Sequence, residues 1–155
     1  MSNVRQHQPQ PLLSKVHRLH TLPLRLPPAC DLRREIEHAV STLPEQSGFV
    51  LSGIGSLTQA SLRFAAAESP TLLVEPLEVL SLAGSVTPEG AHLHALVSTA
   101  SGRVLGGHLG YGCLVRTTAE VLVAVLPEWW LSREHDSATG YKELAIVRRS
   151  RGNVA

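Results

Sequence analysis

Residues 91–109 read AHLHALVSTASGRVLGGHL, and this stretch predicts a β-hairpin. Two largely apolar runs flank residues 98–102, STASG, where small and polar residues end in a glycine and favour a turn. Side chains two positions apart on a strand point to the same face. His92 and His94 are therefore predicted neighbours on one face of the first strand, and His108 lies in the second strand.

The length of the turn decides where the third histidine points. If residues 98–102 form a five-residue loop, His92 lies directly opposite His108, and His94 lies opposite Gly106. Opposed Cβ atoms are about 4.5–5.5 Å apart, which is close enough for three imidazoles to share one ion. A four-residue loop would instead turn His108 to the other face of the sheet.

Three convergent histidines are a candidate metal site, with His92, His94 and His108 as the ligands. Three imidazoles with an open fourth position are typical of catalytic zinc, so Zn²⁺ is the first candidate. Nickel, copper and iron also accept imidazole nitrogen. The alternative is that these histidines are ordinary polar residues on a solvated or interfacial sheet face, because short motifs also match by chance.

The rest of the chain predicts an α+β fold with a mainly antiparallel β-sheet and two helices. Asp31 is suited to cap a first helix, DLRREIEHAVSTL, whose apolar residues recur at helical spacing. Ser56 and Gln59 have the spacing of a capping box, which predicts a second helix over residues 56–66, SLTQASLRFAA. Strands are predicted near residues 15–26, 48–53, 71–87, 91–98, 103–110 and 113–126.

One domain with loose ends fits a chain of 155 residues, of which 43% are hydrophobic. We divide it into a flexible lead at residues 1–14, a folded domain at 15–146 and a basic tail at 147–155. The apolar content argues against disorder as the main state. The chain contains no apolar run of about 18 residues, so no membrane span is predicted. Two distant cysteines without a CxxC motif, and no apolar secretory segment at the start, predict a reduced, cytoplasmic protein.

The net charge of +1 conceals an acidic body between two basic ends. Residues 1–30 carry +4, residues 31–147 carry −6, and residues 148–155 carry +3. A nucleic-acid-binding body normally presents a basic face, so any contact with phosphate is predicted to come from the ends. The alternative is that both ends are solvated tails.

A series of short motifs on both sides of the hairpin carries a family resemblance. They are Leu24–Pro27 with Asp31-Leu32, Gly53–Leu57, Glu78–Ser85, His92–His94 with Gly106–Leu109, Thr118–Val121 and Thr139–Leu144. In this order, and over about residues 15–146, the chain resembles the plants and prokaryotes conserved (PCC, also PPC) domain family. Its opening departs from the family's usual proline–glycine–acid turn, since residues 27–31 read PPACD.

The resemblance implies a compact α+β domain that assembles as a homotrimer. It also implies that His92, His94 and His108 form the metal site of many prokaryotic members, where the metal is commonly zinc. Plant members add an AT-hook, an Arg-Gly-Arg-Pro segment that enters the minor groove of DNA, and this sequence contains no such segment. DNA is still a candidate partner, although the sequence lacks the AT-hook that would recognise it.

A few further positions have both a functional and a structural interpretation. Arg63 and Glu120 are candidates to support the histidines, Glu120 as a base or as an acceptor for an imidazole N–H, although structural ion pairs are favoured. The pair Trp129-Trp130 fits either a partner contact or packing between subunits. Cys113 is predicted to be a small buried thiol in the core.

These observations predict a homotrimeric metal-binding domain with a regulatory or binding role. One alternative is a hydrolase-type enzyme in which the histidine-bound metal activates water, with Glu120 or a group from a partner subunit as the base. The other is a DNA-binding transcriptional regulator that uses its basic termini. No membrane partner is predicted.

Overall fold

The computed structural model of the protein describes residues 19–149. The flexible lead predicted at residues 1–14, and residues 150–155 of the predicted basic tail, lie outside the described residues. The described chain contains one α-helix and nine β-strands. In chain order they are β1 (His20–Leu26), α1 (Leu32–Ser41), β2 (Gly48–Arg63), β3 (Thr71–Leu73), β4 (Leu77–Thr87), β5 (Gly90–Thr99), β6 (Val104–Leu109), β7 (Leu114–Val125), β8 (Trp129–His135) and β9 (Lys142–Arg148).

A seven-stranded antiparallel sheet forms the body of the fold. Its strand order is β1-β7-β2-β4-β5-β6, and β3 pairs with β2 beside this path. Strands β8 and β9 form a separate antiparallel hairpin. The predicted mainly antiparallel sheet is therefore confirmed, whereas only one of the two predicted helices is present among residues 19–149.

Strand β2 closes the sheet on itself. Its first half pairs with β7 on one side and with β4 on the other. At its far end, Leu62 and Arg63 pair with Leu109 and His108 of β6. The path from β2 through β4, β5 and β6 therefore returns to β2, and the buried aliphatic core lies on its inner side.

The predicted second helix is wrong, because residues 48–63 form one continuous strand, β2. Ser56 does not cap a helix; its hydroxyl shares a hydrogen bond with the hydroxyl of Thr117 on β7, with 2.6 Å between the oxygens. Leu57 and Leu62 are fully buried. A helix at this point would leave β7, β4, β3 and β6 without their common partner, so the pairing of strands overrides the local helix signal.

Helix α1 begins where the sequence predicts. One carboxylate oxygen of Asp31 accepts hydrogen bonds from the backbone N–H groups of Arg33 and Arg34, which is the N-cap arrangement. Its other oxygen accepts from the N–H of Gly112 at 2.6 Å, so one side chain joins the helix to the turn before β7. The helix buries Leu32, Ile36 and Val40. It has 10 residues, and no helix within residues 19–149 is long and apolar enough to cross a membrane.

The β8–β9 hairpin packs on β4. Residues 136–140 form the turn of this hairpin, where Gly140 has a φ of +77° and its N–H donates to the carbonyl of Asp136 at 2.8 Å. A guanidinium nitrogen of Arg133 on β8 donates to the hydroxyl of Ser85 on β4. This contact holds the hairpin beside the strands that carry the histidines.

An apolar strip is exposed on the outside of the sheet. Four residues on four adjacent strands form it, and we call it the outer apolar face: Leu122, Ile54, Leu80 and Leu96. Ile54 is 53% exposed and Leu96 is 47% exposed. Exposed aliphatic side chains on neighbouring strands are typical of protein interaction surfaces.

Candidate metal centre

Strands β5 and β6 bring the three predicted histidines together. His92 and His94 lie two positions apart on β5, and His108 lies on β6 directly opposite His94. One ligand nitrogen of each ring lies within 4.8 Å of those of the other two. The three imidazoles therefore converge as the sequence predicts.

The register of the hairpin differs from the predicted one by two residues. The predicted loop placed His92 opposite His108 and His94 opposite Gly106, whereas the structure pairs His94 with His108. The turn is tighter than predicted, because a backbone hydrogen bond of 3.0 Å joins the two ends of residues 99–103. Since side chains alternate with a period of two, a shift of two residues leaves all three histidines on one face.

The spacing of the rings suits a shared ion. The Nε2 atoms of His92 and His94 are 3.2 Å apart. Two nitrogens bound to tetrahedral zinc at about 2.0–2.1 Å lie about 3.3 Å from each other. The ring centroids of the three histidines are 4.4 to 5.1 Å apart, and the rings of His92 and His108 are stacked. The donor set therefore fits zinc, and the ligand nitrogen of His108 lies within 4.8 Å of those of the pair on β5.

Burial and neighbouring positive charge keep two of the three rings neutral. Burial lowers the pKa of His108 to about 4, and the nearby His92 and His94 add to this effect. Burial also lowers the pKa of His92, followed by the positive charge of Arg133. A metal binds the neutral imidazole, so both rings are in the metal-binding form at pH 7.

Two cavities border the histidine cluster. A cavity of about 660 Å³ lies against His94 and His108 and has a mostly apolar lining. A second, of about 510 Å³, lies against His92 and His108 and is lined largely by charged side chains. Arg63 lines both cavities. Solvent and small ligands can therefore approach the cluster from two sides.

Of the two residues proposed to support the histidines, Arg63 lies beside them and Glu120 does not. Arg63 pairs with His108 across β2 and β6, so it does lie beside the site. Glu120 is exposed on β7, where it pairs with Arg25 of β1 and Ile54 of β2, and it lines neither cavity. Glu120 therefore lies away from the histidines within this chain, because its partner on β2 is Ile54, whereas His108 pairs with Arg63 at the far end of that strand.

The sequence analysis missed five charged residues beside the histidines. They line the cavity of 510 Å³ and come from α1, the turn between β4 and β5, β8 and β9: Arg33, Glu89, Arg133, Lys142 and Glu143. No spacing in the sequence relates these residues to one another or to the histidines. The only signal was the motif Thr139–Leu144, which supplies Lys142 and Glu143 and carried no chemical interpretation of its own.

The remaining candidates lie away from the cluster. Cys113 is fully buried, as predicted; its sulfur accepts a hydrogen bond from the N–H of Ser61, and burial raises its pKa to about 11. Trp130 is partly exposed, and the guanidinium of Arg149 lies 5.1 Å from its ring centre. Neither Cys113 nor Trp130 lines a cavity that borders the histidines.

Several solved structures share this fold. A protein from Salmonella cholerae-suis is 35% identical with a TM-score of 0.83, covering 88% of this chain and 99% of its own. A metal-containing protein from Archaeoglobus fulgidus is 30% identical with a TM-score of 0.70, covering 84% of this chain and 99% of its own. A plant- and prokaryote-conserved protein from Pyrococcus horikoshii, at 21% identity and a TM-score of 0.65, covers 84% of this chain and 96% of its own and shows likeness of fold alone.

Two curated relatives and a family model also match this chain. Bifunctional GlmU proteins from two Synechococcus strains are 49% and 50% identical over 142 and 141 residues. The matched region covers 92% and 91% of this chain but 22% of each relative, so the chain spans about a fifth of their length. The model of the Plants and Prokaryotes Conserved (PCC) domain matches residues 14–127, which is well over half of the chain. The fold agrees with this match, because it resembles that of the solved plant- and prokaryote-conserved protein. The chain therefore belongs to the PCC domain family.

Proposed function

We propose that this domain binds a divalent transition metal, with Zn²⁺ as the first candidate, and works as a homotrimeric binding or regulatory module. The ligands are His92, His94 and His108. The observation that carries the proposal is the convergence of these three side chains, with every pair of ligand nitrogens within 4.8 Å. Three imidazole ligands leave a fourth position on the metal open, and this ligand set is found in many zinc sites.

The surroundings of the histidines support a metal rather than a polar surface patch. Three histidines on a solvated sheet face would keep ordinary pKa values and separate from one another. Here burial lowers the pKa of His92 and of His108, and the Nε2 atoms of His92 and His94 are already at the spacing of zinc ligands. The relative from Archaeoglobus fulgidus, which is a metal-containing protein, adds support at 30% identity over nearly its whole length.

Self-association is supported by the outer apolar face. Ile54, Leu80, Leu96 and Leu122 expose aliphatic surface across four strands of the sheet. Water-exposed aliphatic area of this extent is stabilised when a second subunit covers it. A homotrimer in which each subunit covers part of its neighbour's face accounts for this surface.

An enzymatic role is the second candidate, and the two cavities beside the histidines favour it. A purely structural zinc site is closed by four protein ligands, whereas this cluster has three and borders accessible space. Glu143, which lines the cavity of 510 Å³, takes the place of Glu120 as the nearby carboxylate available for proton transfer.

A DNA-binding role is less well supported. Two similar solved structures, from Bacteroides thetaiotaomicron and Ralstonia eutropha, are named only provisionally as DNA-binding proteins. At 21% identity, they show likeness of fold alone. Residues 31–147 carry a net charge of −6, which opposes a phosphate backbone. Most of the basic ends lies outside the described residues.

We place the domain in the cytoplasm as part of the same proposal. Cys30 and Cys113 are both free thiols. Unpaired thiols are typical of proteins in a reducing compartment.

Elemental analysis of the purified protein tests the metal site. We expect about one zinc or other transition metal per chain in the wild-type protein. The double variant His92→Ala/His94→Ala is expected to lose the metal while keeping the fold, because both side chains project from β5 without supporting the core.

The matched control is His38→Ala/His135→Ala, which removes two exposed histidines outside the cluster and is expected to keep the metal. An unchanged metal content in His92→Ala/His94→Ala would contradict the proposal. Hydrolysis of a substrate panel by the loaded wild-type protein, and its loss in Glu143→Gln, separates the enzymatic candidate from the binding module.

A further inference from the structure

The cavity of about 510 Å³ beside His92 and His108 has a strongly charged lining, and we call it the arginine pocket. Its charged residues are Arg33, Arg63, Arg133, Lys142, Glu89 and Glu143. Four bases thus face two acids. A divalent ion on the histidines would add to this positive balance.

Arg33 belongs to the scaffold of the pocket. Its Nε donates to a carboxylate oxygen of Glu37 at 2.9 Å. Its two terminal nitrogens donate to the carbonyls of Leu109 at 3.1 Å and Ala91 at 2.7 Å. With all three nitrogens engaged, Arg33 fixes α1 against β5 and β6 and has little capacity to bind a ligand.

Arg133 is differently placed. It is half-buried, and its side chain forms one hydrogen bond with residues 19–149, from a terminal nitrogen to the hydroxyl of Ser85 at 2.5 Å. No carboxylate within residues 19–149 forms an ion pair with it. Burial lowers its pKa, although Glu143 and Glu89 oppose the shift, so this guanidinium is partly stripped of water.

Arg63 is also without an acidic partner in the described chain. Among the residues that the structure describes, its side chain forms one hydrogen bond, a long contact of 3.4 Å to the carbonyl of Ala67. Its backbone pairs with His108 on β6, so its side chain starts beside the histidine cluster. Most of the donors of Arg63 and Arg133 are therefore free to bind a ligand in the pocket.

A desolvated cation without a counter-charge is costly, so such groups normally meet an anion. The guanidinium presents a planar fork of N–H donors that matches the oxygens of a carboxylate or a phosphate. Lys142 of β9 adds a third positively charged donor, an ammonium group in place of a planar guanidinium. The arrangement is that of a receptor for an anionic oxygen group.

We propose that the arginine pocket binds a small organic molecule through an anionic oxygen group, a carboxylate or a phosphate, with Arg63 and Arg133 as the principal donors. The proposal deepens the proposed function, since it rests on a metal-binding cluster at the neighbouring wall and names the ligand class of that site. The arginines act on the ligand directly, whether or not a metal is present.

The size and position of the pocket select a small molecule over a polyanion. Small-ligand sites in proteins commonly have volumes of about 300–1,000 Å³, and this one has about 510 Å³. A nucleic acid would have to cross a body whose residues 31–147 carry a net charge of −6. A compact anion avoids that repulsion by entering the pocket alone.

Isothermal titration calorimetry with two probes, inorganic phosphate and malonate, tests the proposal. Both probes are titrated into the full chain in its zinc-loaded form and after removal of the metal with a chelator. We expect saturable binding of at least one probe. Binding of phosphate alone identifies a phosphorylated ligand class, and binding of malonate alone identifies a carboxylate class.

Single substitutions then locate the binding site. Arg63→Gln and Arg133→Gln are each expected to lower the affinity for the probe about tenfold or more, because each removes a charged hydrogen-bond donor. Arg63→Lys keeps the charge without the planar fork and is expected to restore only part of the affinity. The control Arg116→Gln removes an exposed arginine of β7 that lines neither cavity, and it is expected to bind like the wild type.

Two further measurements separate the possible failures. Circular dichroism spectra check that Arg133→Gln keeps its fold after losing the Ser85 contact, and Arg63→Gln tests the same pocket without that contact. Zinc content is measured in every variant, so loss of metal is distinguished from loss of anion binding. Failure of both probes to bind the wild type, or unchanged affinity in Arg63→Gln, would overturn the proposal even if the metal is present.

Discussion

His94 and His108 are directly opposed residues on β5 and β6, with ring centroids 4.4 Å apart. His108 is also paired on its other side, with Arg63 of β2. The third histidine thus lies on the strand that closes the barrel, and both of its neighbouring strands fix its position. The geometry of the candidate metal centre is therefore coupled to the packing of β6 against β2.

The first prediction tests this coupling at Gly107. A Cβ atom added at this position would lie 2.6 Å from the carbonyl oxygen of Arg63, which is a backbone atom and cannot move independently. Gly107→Ala is therefore expected to push β6 away from β2, to lower the free energy of unfolding by about 1–3 kcal/mol and to weaken zinc binding. Urea denaturation and competition with a chromophoric chelator measure the two effects.

Gly106→Ala is the matched control on the same strand. Its nearest obstacle would be the terminal methyl of Leu96 at 2.4 Å, the flexible end of an exposed side chain. The carbonyl of Ala95, at 3.1 Å, is a milder constraint. We expect a smaller loss of stability and nearly unchanged zinc affinity; equal effects of the two substitutions would show that β6 does not depend on its contact with β2.

The second prediction concerns pH and the metal-free protein. The pKa of His108 is lowered to about 4 in the folded state, chiefly by burial, from an ordinary value near 6.5 in the unfolded chain. Between these pH values the unfolded chain binds more protons, so stability is full above about pH 6.5 and is lost as the pH falls toward 4. Thermal denaturation from pH 7 to pH 4 should show this loss.

His108→Gln removes the titrating group and should flatten the pH dependence of the melting temperature. Some dependence remains, because the pKa of His92 is lowered in the same direction. Identical pH profiles for the wild type and His108→Gln would mean that the His108 ring is solvated and freely protonated in the folded protein.

Local patterns in the sequence predicted the histidine hairpin well. Alternation of side chains is a property of neighbouring residues, so the shared face of His92 and His94 follows from the sequence alone. The face on which His108 lies was predicted correctly although the predicted loop was too long. The error was two residues, and side chains on a strand alternate with a period of two. The cap at Asp31 was equally predictable, since its acceptors and donors lie within three residues.

Features that depend on distant strands were not predictable. The helix signal at Ser56 is a genuine local preference, but residues 48–63 serve as the common partner of four strands, and no local pattern encodes that. Arg33, Arg133 and Lys142 meet in one pocket only because α1 packs on β5 and the β8–β9 hairpin packs on β4. The metal cluster was visible in one hairpin, whereas its charged surroundings required the whole fold.

The third prediction compares two arginines on the first turn of α1. Arg33→Gln removes an ion pair with Glu37 and leaves the carbonyls of Leu109 and Ala91 without their donor. We expect it to lower the free energy of unfolding by about 1.5–3 kcal/mol. Arg34, whose side chain is 68% exposed and 3.9 Å from Asp31, is the control, and Arg34→Gln should cost less than about 1 kcal/mol. Equal losses in urea denaturation would contradict the scaffold role of Arg33.

The fourth prediction distinguishes the two thiols by their reactivity. Cys113 is fully buried, burial raises its pKa to about 11, and its sulfur contacts the backbone of Ser61 and Gly110. Cys30 is only partly buried, on the loop before α1. Iodoacetamide at pH 8 should therefore label Cys30 in the folded protein and Cys113 only after unfolding. Mass spectrometry of Cys30→Ser should show almost no labelling until denaturant is added; rapid labelling of that variant would place Cys113 at the surface.

The fifth prediction tests the proposed assembly through the outer apolar face. Ile54 of β2 lies at the centre of this face and is 53% exposed, so a neighbouring subunit that covers it would have to bury a charge in Ile54→Glu. Light scattering after gel filtration should give the wild type about three times the 16.7 kDa mass of the chain, and Ile54→Glu a smaller mass. Val74→Glu is the control, because Val74 is 71% exposed but lies outside this face. A monomeric wild type, or an intact trimer in Ile54→Glu, would show that the outer apolar face does not hold subunits together.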